Sequence, residues 1–395
     1  MLRRHFSGLA GLGNKKNVVS IILIGNALVW YYTVLSLMEL SVDNILLWAP
    51  VHFSALIVSA FAGASYAKQM ERSKFLTLWM IMGVVSSTML FGLGSTYAVV
   101  VSLVSLFSGL SLGFGMPACM SYFTDNVPIE SRGRVSGIAM LASGIGIVAF
   151  GSLLFSDPLL IGIVLGIWRF SGLVVFLWAK EYRKTERKTS VPSFKQVLSQ
   201  RSFILYFVPW VMFSLVDYLA APATSTSDFQ TVQTVFMGGA AVLGGFFLDS
   251  GGRKPIAIAG FAMLGLGTAV LGFLGNTPLV LCFSAMVDGV AFGFLLVLFV
   301  LTLWGDLSHS SSSDKYYALG VLPFFASMLL QLTVGPAISA GMFSYTNLFS
   351  FAAVFLFLAV LPLFYAPETL PEKVMKQREL KLYVEQAQEI AQKYY

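Results

Sequence analysis

The sequence predicts an all-α membrane protein of twelve transmembrane helices arranged as two pseudo-symmetric six-helix bundles. Three observations carry this. Of the 395 residues, 57% are hydrophobic and only 11% charged, too little polar surface for a water-soluble globule to cover itself. Apolar runs of roughly 18 to 25 residues recur along the chain, the length that crosses about 30 Å of hydrocarbon. Lysine and arginine fall almost wholly on one side of those runs.

In the first half the spans run Val18 to Leu40, Asn44 to Tyr66, Phe75 to Ser95, Tyr97 to Phe123, Val135 to Phe155 and Pro158 to Ala179. The second half gives Phe203 to Ala223, Phe229 to Leu248, Pro255 to Gly275, Pro278 to Trp304, Tyr317 to Met342 and Tyr345 to Tyr365. The first run follows Arg3, Arg4, Lys15 and Lys16 and has no small-residue cleavage site behind it. At about 23 residues it is too long for a signal-peptide core and reads as a retained helix.

With the amino terminus inside, the cytoplasmic segments carry in order 4, 3, 2, 7, 2, 1 and 5 lysines and arginines. Arg169, within the sixth span, completes the 25 of the chain, and no outside loop holds any. This asymmetry places both termini in the cytoplasm and requires an even number of spans. It also accounts for the net charge of +6 as membrane topology rather than a nucleic-acid surface. Cys119 and Cys282 both lie in apolar runs, so neither a disulfide framework nor a metal cluster is expected, and no cofactor.

The longest interior loop, residues 180–202, is basic and then amphipathic around Phe194, Val197 and Leu198. It reads as a linker with a helix on the membrane surface, between bundles at 1–179 and 203–365. The tail, 366–395, repeats apolar residues at Leu380, Tyr383, Val384 and Ala387, a cytoplasmic amphipathic helix. Internal repetition supports two halves: Gly109 and Gly113 match Gly289 and Gly293 at an offset of 180, Asp125 matches Asp306 at 181, and Gly63 matches Gly245 at 182.

The turn between the eighth and ninth spans is Gly245-Phe-Phe-Leu-Asp249-Ser-Gly-Gly252-Arg253-Lys254. Gly245 permits close helix approach, Gly252 a tight reversal, and Arg253 and Lys254 hold the turn in the cytosol. Asp249 sits where the helix dipole disfavours a carboxylate, so its partner lies elsewhere, at another helix's amino end or an arginine. The pattern Gly-x-x-x-Asp-x-x-Gly-Arg-Lys resembles the cytoplasmic signature loop of the major facilitator superfamily, and the resemblance extends over nearly the whole chain. It implies two parallel repeats, a central cavity lined by the first, fourth, seventh and tenth spans, and transport by alternating access. The first-half copy is degenerate, with Ala67, Met70 and Glu71 in the Asp, second Gly and Arg places. The segment Pro128-Ile-Glu130-Ser-Arg132-Gly-Arg134 resembles the loop that this signature meets, so Asp249 is expected on that helix end or on Arg132 and Arg134.

Ionisable groups inside the spans are costly and therefore candidates for function. Asp217 shares a face with Trp210 and Ser214, and Asp288 lies near the midplane one turn from Ser284. The resemblance places both carboxylates on the cavity, where they would bind solute or carry protons. Arg169 is open between a structural charge inside the first bundle and an anion or coupling site. Asn26, Trp30 and Thr33 form a face of the first span suited to an organic solute. Gln331 adds a neutral polar candidate just before Gly335-Pro336, where a kink is expected.

The place four residues before Gly113-x-Gly115, an arginine in many proton-coupled relatives, is Gly109 here. The expected function is secondary active transport of a small organic solute across the cell membrane, proton-coupled, by a monomer. A passive facilitator and a non-transporting sensor of the same architecture are the alternatives. Enzymatic chemistry is not expected: His5, His52 and His309 are the only histidines, and no nucleotide-binding glycine loop or acidic metal motif occurs.

Overall fold

The computed structural model describes residues 15–151, 158–179, 191–220, 227–275, 277–308, 313–337, 345–370 and 380. Among them no strand occurs. The first half comprises α1 (Lys15–Ser41), α2 (Ile45–Tyr66), α3 (Arg72–Thr88, then a 3-10 turn Met89–Gly94), α4 (Ala98–Asn126), α5 (Arg132–Gly151) and α6 (Pro158–Trp178). The second comprises α7 (Arg201–Ala220), α8 (Ser227–Gly251), α9 (Arg253–Leu274), α10 (Pro278–Leu307), α11 (Asp314–Ala337) and α12 (Tyr345–Leu358, continued by Val360–Tyr365). Eleven of these are long and apolar enough to cross a membrane, and α7 contributes a shorter apolar stretch, Arg201–Val216. The protein is a multi-pass membrane protein.

Several helices run further toward the charged face than the apolar runs predict. α5 begins at Arg132 and α9 at Arg253, while α8 continues through Asp249 and α10 through Asp306. Hydropathy stops at a charge, whereas a helix continues wherever that charge finds a partner, and these find one another. α11 passes Gly335 and Pro336 as helix to Ala337.

Packing follows a pseudo-twofold plan. α1 packs on α5 and α6 as α7 packs on α11 and α12; α3 packs on α4 and α6 as α9 packs on α10 and α12. Between the halves, α5 meets α8 and α2 meets α11, pairs that the same operation exchanges. The tightest intra-bundle pairs, α2 with α4 and α8 with α10, are built on glycine. A side chain at Gly109 or Gly113 would strike the backbone of α2 at His52 or Leu56; one at Gly289 or Gly293 would strike α8 at Gln233 or Met237. Without a hydrophobic drive in lipid, such backbone contact is what holds helices together.

The short helix Phe194–Leu198 carries a capping box from Ser193 and Gln196. It lies against the protein: Phe194 packs on Phe61 of α2 at 5.1 Å between ring centroids, under Lys315 of α11, and Val197 is fully buried. The preceding basic stretch, 180–190, and the tail beyond Leu370, Leu380 apart, lie outside the described residues.

Candidate functional site

On one face of the bundle a charge cluster ties the two halves together. Asp249, at the end of α8, accepts hydrogen bonds from the backbone N–H groups of Gly133 (2.8 Å) and Arg134 (2.9 Å) at the start of α5, and from Arg134 Nε (3.0 Å). The carboxylate thus caps the positive end of a helix in the other half. The approach depends on two glycines, since a side chain at Gly133 would meet Gly245 and Asp249, and one at Gly245 would meet Gly133.

Around this contact, Asp306 at the end of α10 accepts from both Arg132 of α5 and Arg253 Nε (2.9 Å), and Arg253 Nη1 also reaches Asp249 (3.2 Å). The side chains of Arg253 and Asp306 are wholly buried. Glu368, just beyond α12, accepts from the N–H groups of Arg253 (2.8 Å) and Lys254 (3.1 Å) and so caps α9. Gly252 reverses the chain there at φ 100, a left-handed conformation that favours glycine. Lys254 Nζ donates to the carbonyl of Phe364.

The degenerate first half reaches a comparable lock by another route. Where α8 ends in Asp249, the equivalent Ala67 supplies nothing; instead Arg72, at the start of α3, pairs with Asp125 of α4 and with Asp314 (3.2 Å) at the start of α11. Arg72, Asp314, Asp306 and Glu368 are absent from the candidates read from sequence. The repeat gave a signal for one of them, because Asp306 matches Asp125, and both accept from an arginine at the start of a helix in their own half, Arg253 and Arg72.

Replacing Asp249 with Asn should weaken the α5 to α8 contact by about 1.5–3 kcal/mol, the worth of a hydrogen bond to a charged group, or roughly ten- to a hundredfold in the open-to-closed ratio. Alkylation of a cysteine placed at Ser136, buried on α5 against Thr302 of the other half, should then speed up; an unchanged rate would contradict the bracing role.

Between the halves lies a cavity of about 740 Å³. Its floor is aromatic: Trp210 of α7 and Phe299 of α10 stack at 4.8 Å, with Phe324 of α11 parallel to Trp210 at 6.4 Å. Trp210 Nε1 donates to the Gly320 carbonyl (2.8 Å), which fixes the ring. A π-helical segment in α10, Val297–Thr302, sets Phe299 in this position and brings Thr302 to Ser136 of α5 (3.2 Å). Such one-turn irregularities recur at functional sites. Tyr31 and Tyr32 of α1, Met140 and Val148 of α5, and Gln230 and Thr234 of α8 complete the walls. Among the described lining residues none is charged.

The structure brings almost none of the sequence-derived solute candidates to this cavity. Asn26, Trp30 and Arg169 meet instead inside the first bundle. Arg169 Nη1 donates to Asn26 Oδ1 (3.0 Å), and the guanidinium lies 4.6 Å from the ring centre of Trp79 and 5.4 Å from that of Trp30. Trp30 donates to Ser87 (2.7 Å), Asn26 to the Trp168 carbonyl, and Arg169 Nε and Nη2 have no hydrogen-bond partner among the described residues. The polar stripe of α1 therefore turns inward to solvate a buried guanidinium, while Leu28, Tyr31 and Tyr32 face the cavity.

Asp288 lies between α9 and α10. Ser284 donates to its Oδ2 (3.2 Å), and Oδ1 lies against Gly267, where the missing side chain leaves room, without a hydrogen-bond partner among the described residues. Neither Asp288 nor Ser284 is a lining residue, nor are Ser214, buried on α7, and Gln331, half-buried on α11. α7 carries Asp217 one turn beyond Phe213, but the Asp217 side chain is outside the described residues. His52 is buried, with Nδ1 3.0 Å from Ser108 Oγ, in the core of the first half.

No protein-family model and no curated protein sequence matches the chain. Solved structures do. The chain is similar to the proton:xylose symporter XylE bound to 6-bromo-6-deoxy-D-glucose, with a TM-score of 0.68 and 14% identity over 89% of this chain and 96% of that one. It is similar also to the human organic anion transporter MFSD10 (TETRAN), with a TM-score of 0.67 and 14% identity over 89% of this chain and 99% of that one. Two six-helix halves with this contact pattern, closed on one face by the Asp249 turn, and the match over nearly the full length of both structures lead to one conclusion: the chain has the fold of the major facilitator superfamily.

Proposed function

We propose that this protein is a secondary transporter that moves a small organic solute across the cell membrane by alternating access, with the cluster face and both termini in the cytoplasm. What supports this most directly is the pairing of a closed gate with a cavity behind it. Asp249 binds the first turn of α5 across the halves, and a 740 Å³ space lies between the same halves on the far side of that contact. Opening the gate breaks the inter-half contacts of this face, Asp249 on the start of α5, Arg132 on Asp306, Arg72 on Asp314 and the Gly133–Gly245 approach, while the glycine-packed pairs α2 with α4 and α8 with α10 lie within each half and stay intact. The halves can therefore rock as rigid units about the cavity.

Coupling to protons is assigned to Asp288, an acid at mid-depth of α10 whose Oδ1 has no hydrogen-bond partner among the described residues. The lack of a charged group among the described lining residues favours a second reading, passive facilitation, in which Asp288 only packs α10 on α9. Purified protein in vesicles holding a trapped pH dye separates the two while sugars, amino acids, organic acids and lipophilic solutes are offered. For the coupled transporter, Asp288→Asn should abolish solute-driven proton flux, at least tenfold below wild type, while leaving exchange of solute. Equal solute movement with no proton flux in wild type would establish the facilitator instead. A wild type that moves none of these solutes would argue against transport.

A further inference from the structure

From the shape of the cavity mouth we infer that the substrate is an uncharged, membrane-dissolved amphiphile that enters sideways, through a slot between α5 and α8. This rests on the transport role proposed above and adds the chemical class and the route. On the cluster face α5 and α8 touch backbone to backbone, at Gly133 with Gly245 and at Gly137 with Ala241. The next contact away from the cluster is a side chain, the Leu141 methyl 3.3 Å from where a side chain at Gly238 would start; beyond it on α5, Gly144 has nothing within 4 Å. The helices have parted there. Residues that line the cavity at this level are also exposed on the outside of the bundle: Ile145 by 63%, Val148 by 65% and Val235 by 67%. α5 and α8 are accordingly the two least buried of the long spans.

The opposite seam is different. Tyr31 Oη reaches Met328 Sδ (3.7 Å), and the Tyr31 ring packs edge-on against Phe325 at 5.7 Å, so α1 and α11 shut the cavity where α2 meets α11. Among the described residues the opening lies on the α5 and α8 side alone.

Its depth decides what can enter. Ile145 lies six residues before the end of α5 and Val235 eight residues after the start of α8, about 9 and 12 Å below those helix ends. A slot rimmed by isoleucine and valine at that depth faces acyl chains and not water. Behind it, the described lining offers aromatic and aliphatic surface and no charge, whereas a sugar or an anion would leave its polar groups without partners there. The polar groups Gln230 and Thr234 stand one turn apart on α8, toward the far end of the helix. They suit an uncharged hydrogen-bonding head held toward the far surface, with the hydrocarbon body lying on the Trp210 and Phe299 floor.

The test uses purified full-length protein in unilamellar vesicles containing a fluorescent NBD-labelled monoacylglycerol, with dithionite bleaching to report the leaflet. Radiolabelled D-xylose in the same vesicles is the water-soluble arm. Wild type should move the monoacylglycerol at least fivefold faster than protein-free vesicles and should not move xylose. Ile145→Trp with Val235→Trp, filling the slot, should cut that rate at least fivefold, while Leu279→Trp with Phe351→Trp, at exposed positions outside the cavity lining, keeps it. A diazirine monoacylglycerol photolysed on wild type should label α5 between Met140 and Val148 or α8 between Gln230 and Gly239, a result that does not depend on any variant folding. Labelling confined to other helices, or a plugged protein that folds and still moves the probe at the wild-type rate, overturns the lateral route. Xylose moving in place of the amphiphile overturns the substrate class and leaves transport standing. Movement of neither overturns both.

Discussion

Gly245→Val is expected to abolish transport while leaving each half folded. The Gly245 position lies against the Gly133 backbone, so a β-branched side chain forces α8 away from α5 before any other contact is touched. The first bonds lost are those from Gly133 and Arg134 N–H to Asp249, at 2.8 and 2.9 Å. Two hydrogen bonds to a carboxylate are worth about 3–6 kcal/mol together, roughly a hundred- to ten-thousandfold in the closed-to-open ratio. A cycle that must pass through the closed state then stalls. Gly133→Val should do the same from the other helix, and Gly239→Val, where nothing lies within 4 Å, should be nearly silent. Uptake by the three variants, measured at equal amounts of folded protein, checks the contrast.

The second large effect is on stability. Asp306→Ala removes the carboxylate shared by Arg132 and Arg253 and leaves two guanidinium groups in a site where Arg253 is wholly buried. Breaking a buried charge pair from one side typically costs about 3–5 kcal/mol, and the lower end applies here because Arg253 keeps Asp249 and Arg132 keeps the carbonyls of Thr124 and Val127. The detergent-purified variant should melt well below wild type. Asp306→Asn, which keeps the shape and one acceptor, should fall between them. An Ala variant that melts with wild type would mean that water reaches the cluster and that the pairs contribute little.

The two effects separate what the cluster does. Asp249 acts across the halves, on backbone groups that must be released in each cycle; Asp306 joins α5, α9 and α10. Asp306→Ala also removes an inter-half bond, to Arg132, so it should lower transport as well as the melting temperature, whereas Gly245→Val should lower transport with little change in melting.

Much of the fold was legible because the membrane imposes simple rules. Span length, the one-sided placement of lysine and arginine, and glycine pairs repeated 180 residues apart follow from hydrocarbon thickness, charge and backbone packing. The Asp249 turn was legible for a related reason: a carboxylate at a helix's negative end has to find a donor elsewhere, and the start of α5 supplies two. The Arg72 lock was not, because a lone arginine after a degenerate turn looks like any positive-inside residue until Asp314 stands beside it.

The cavity lining is less legible. Polar side chains in apolar spans invite assignment to the solute, yet Asn26 and Trp30 pack around Arg169 inside the first bundle, and Asp288 lies against Gly267. A polar group in a membrane helix needs a partner, and the interior of its own bundle provides one. The surface left for the solute is then apolar, and apolar residues on a lining face look the same in sequence as those packed in a core. Trp210 shares its face with Ser214 and Asp217 and so carries a mark, whereas Phe299 looks like any other aromatic, and the π-helical turn that aims it leaves none in the pattern.

Alternating access itself is tested most directly by distances across the two ends of the α5 to α8 seam. Spin labels at Glu130 and Ser250, exposed beside the cluster, report the closed face, and labels at Val148 and Val235 report the slot. Pulsed electron-resonance measurements on wild type and Gly245→Val in vesicles should give opposite changes: in the variant the Glu130–Ser250 distance lengthens and the Val148–Val235 distance shortens. Both distances lengthening together, or neither moving, would contradict two rigid halves rocking about a central cavity.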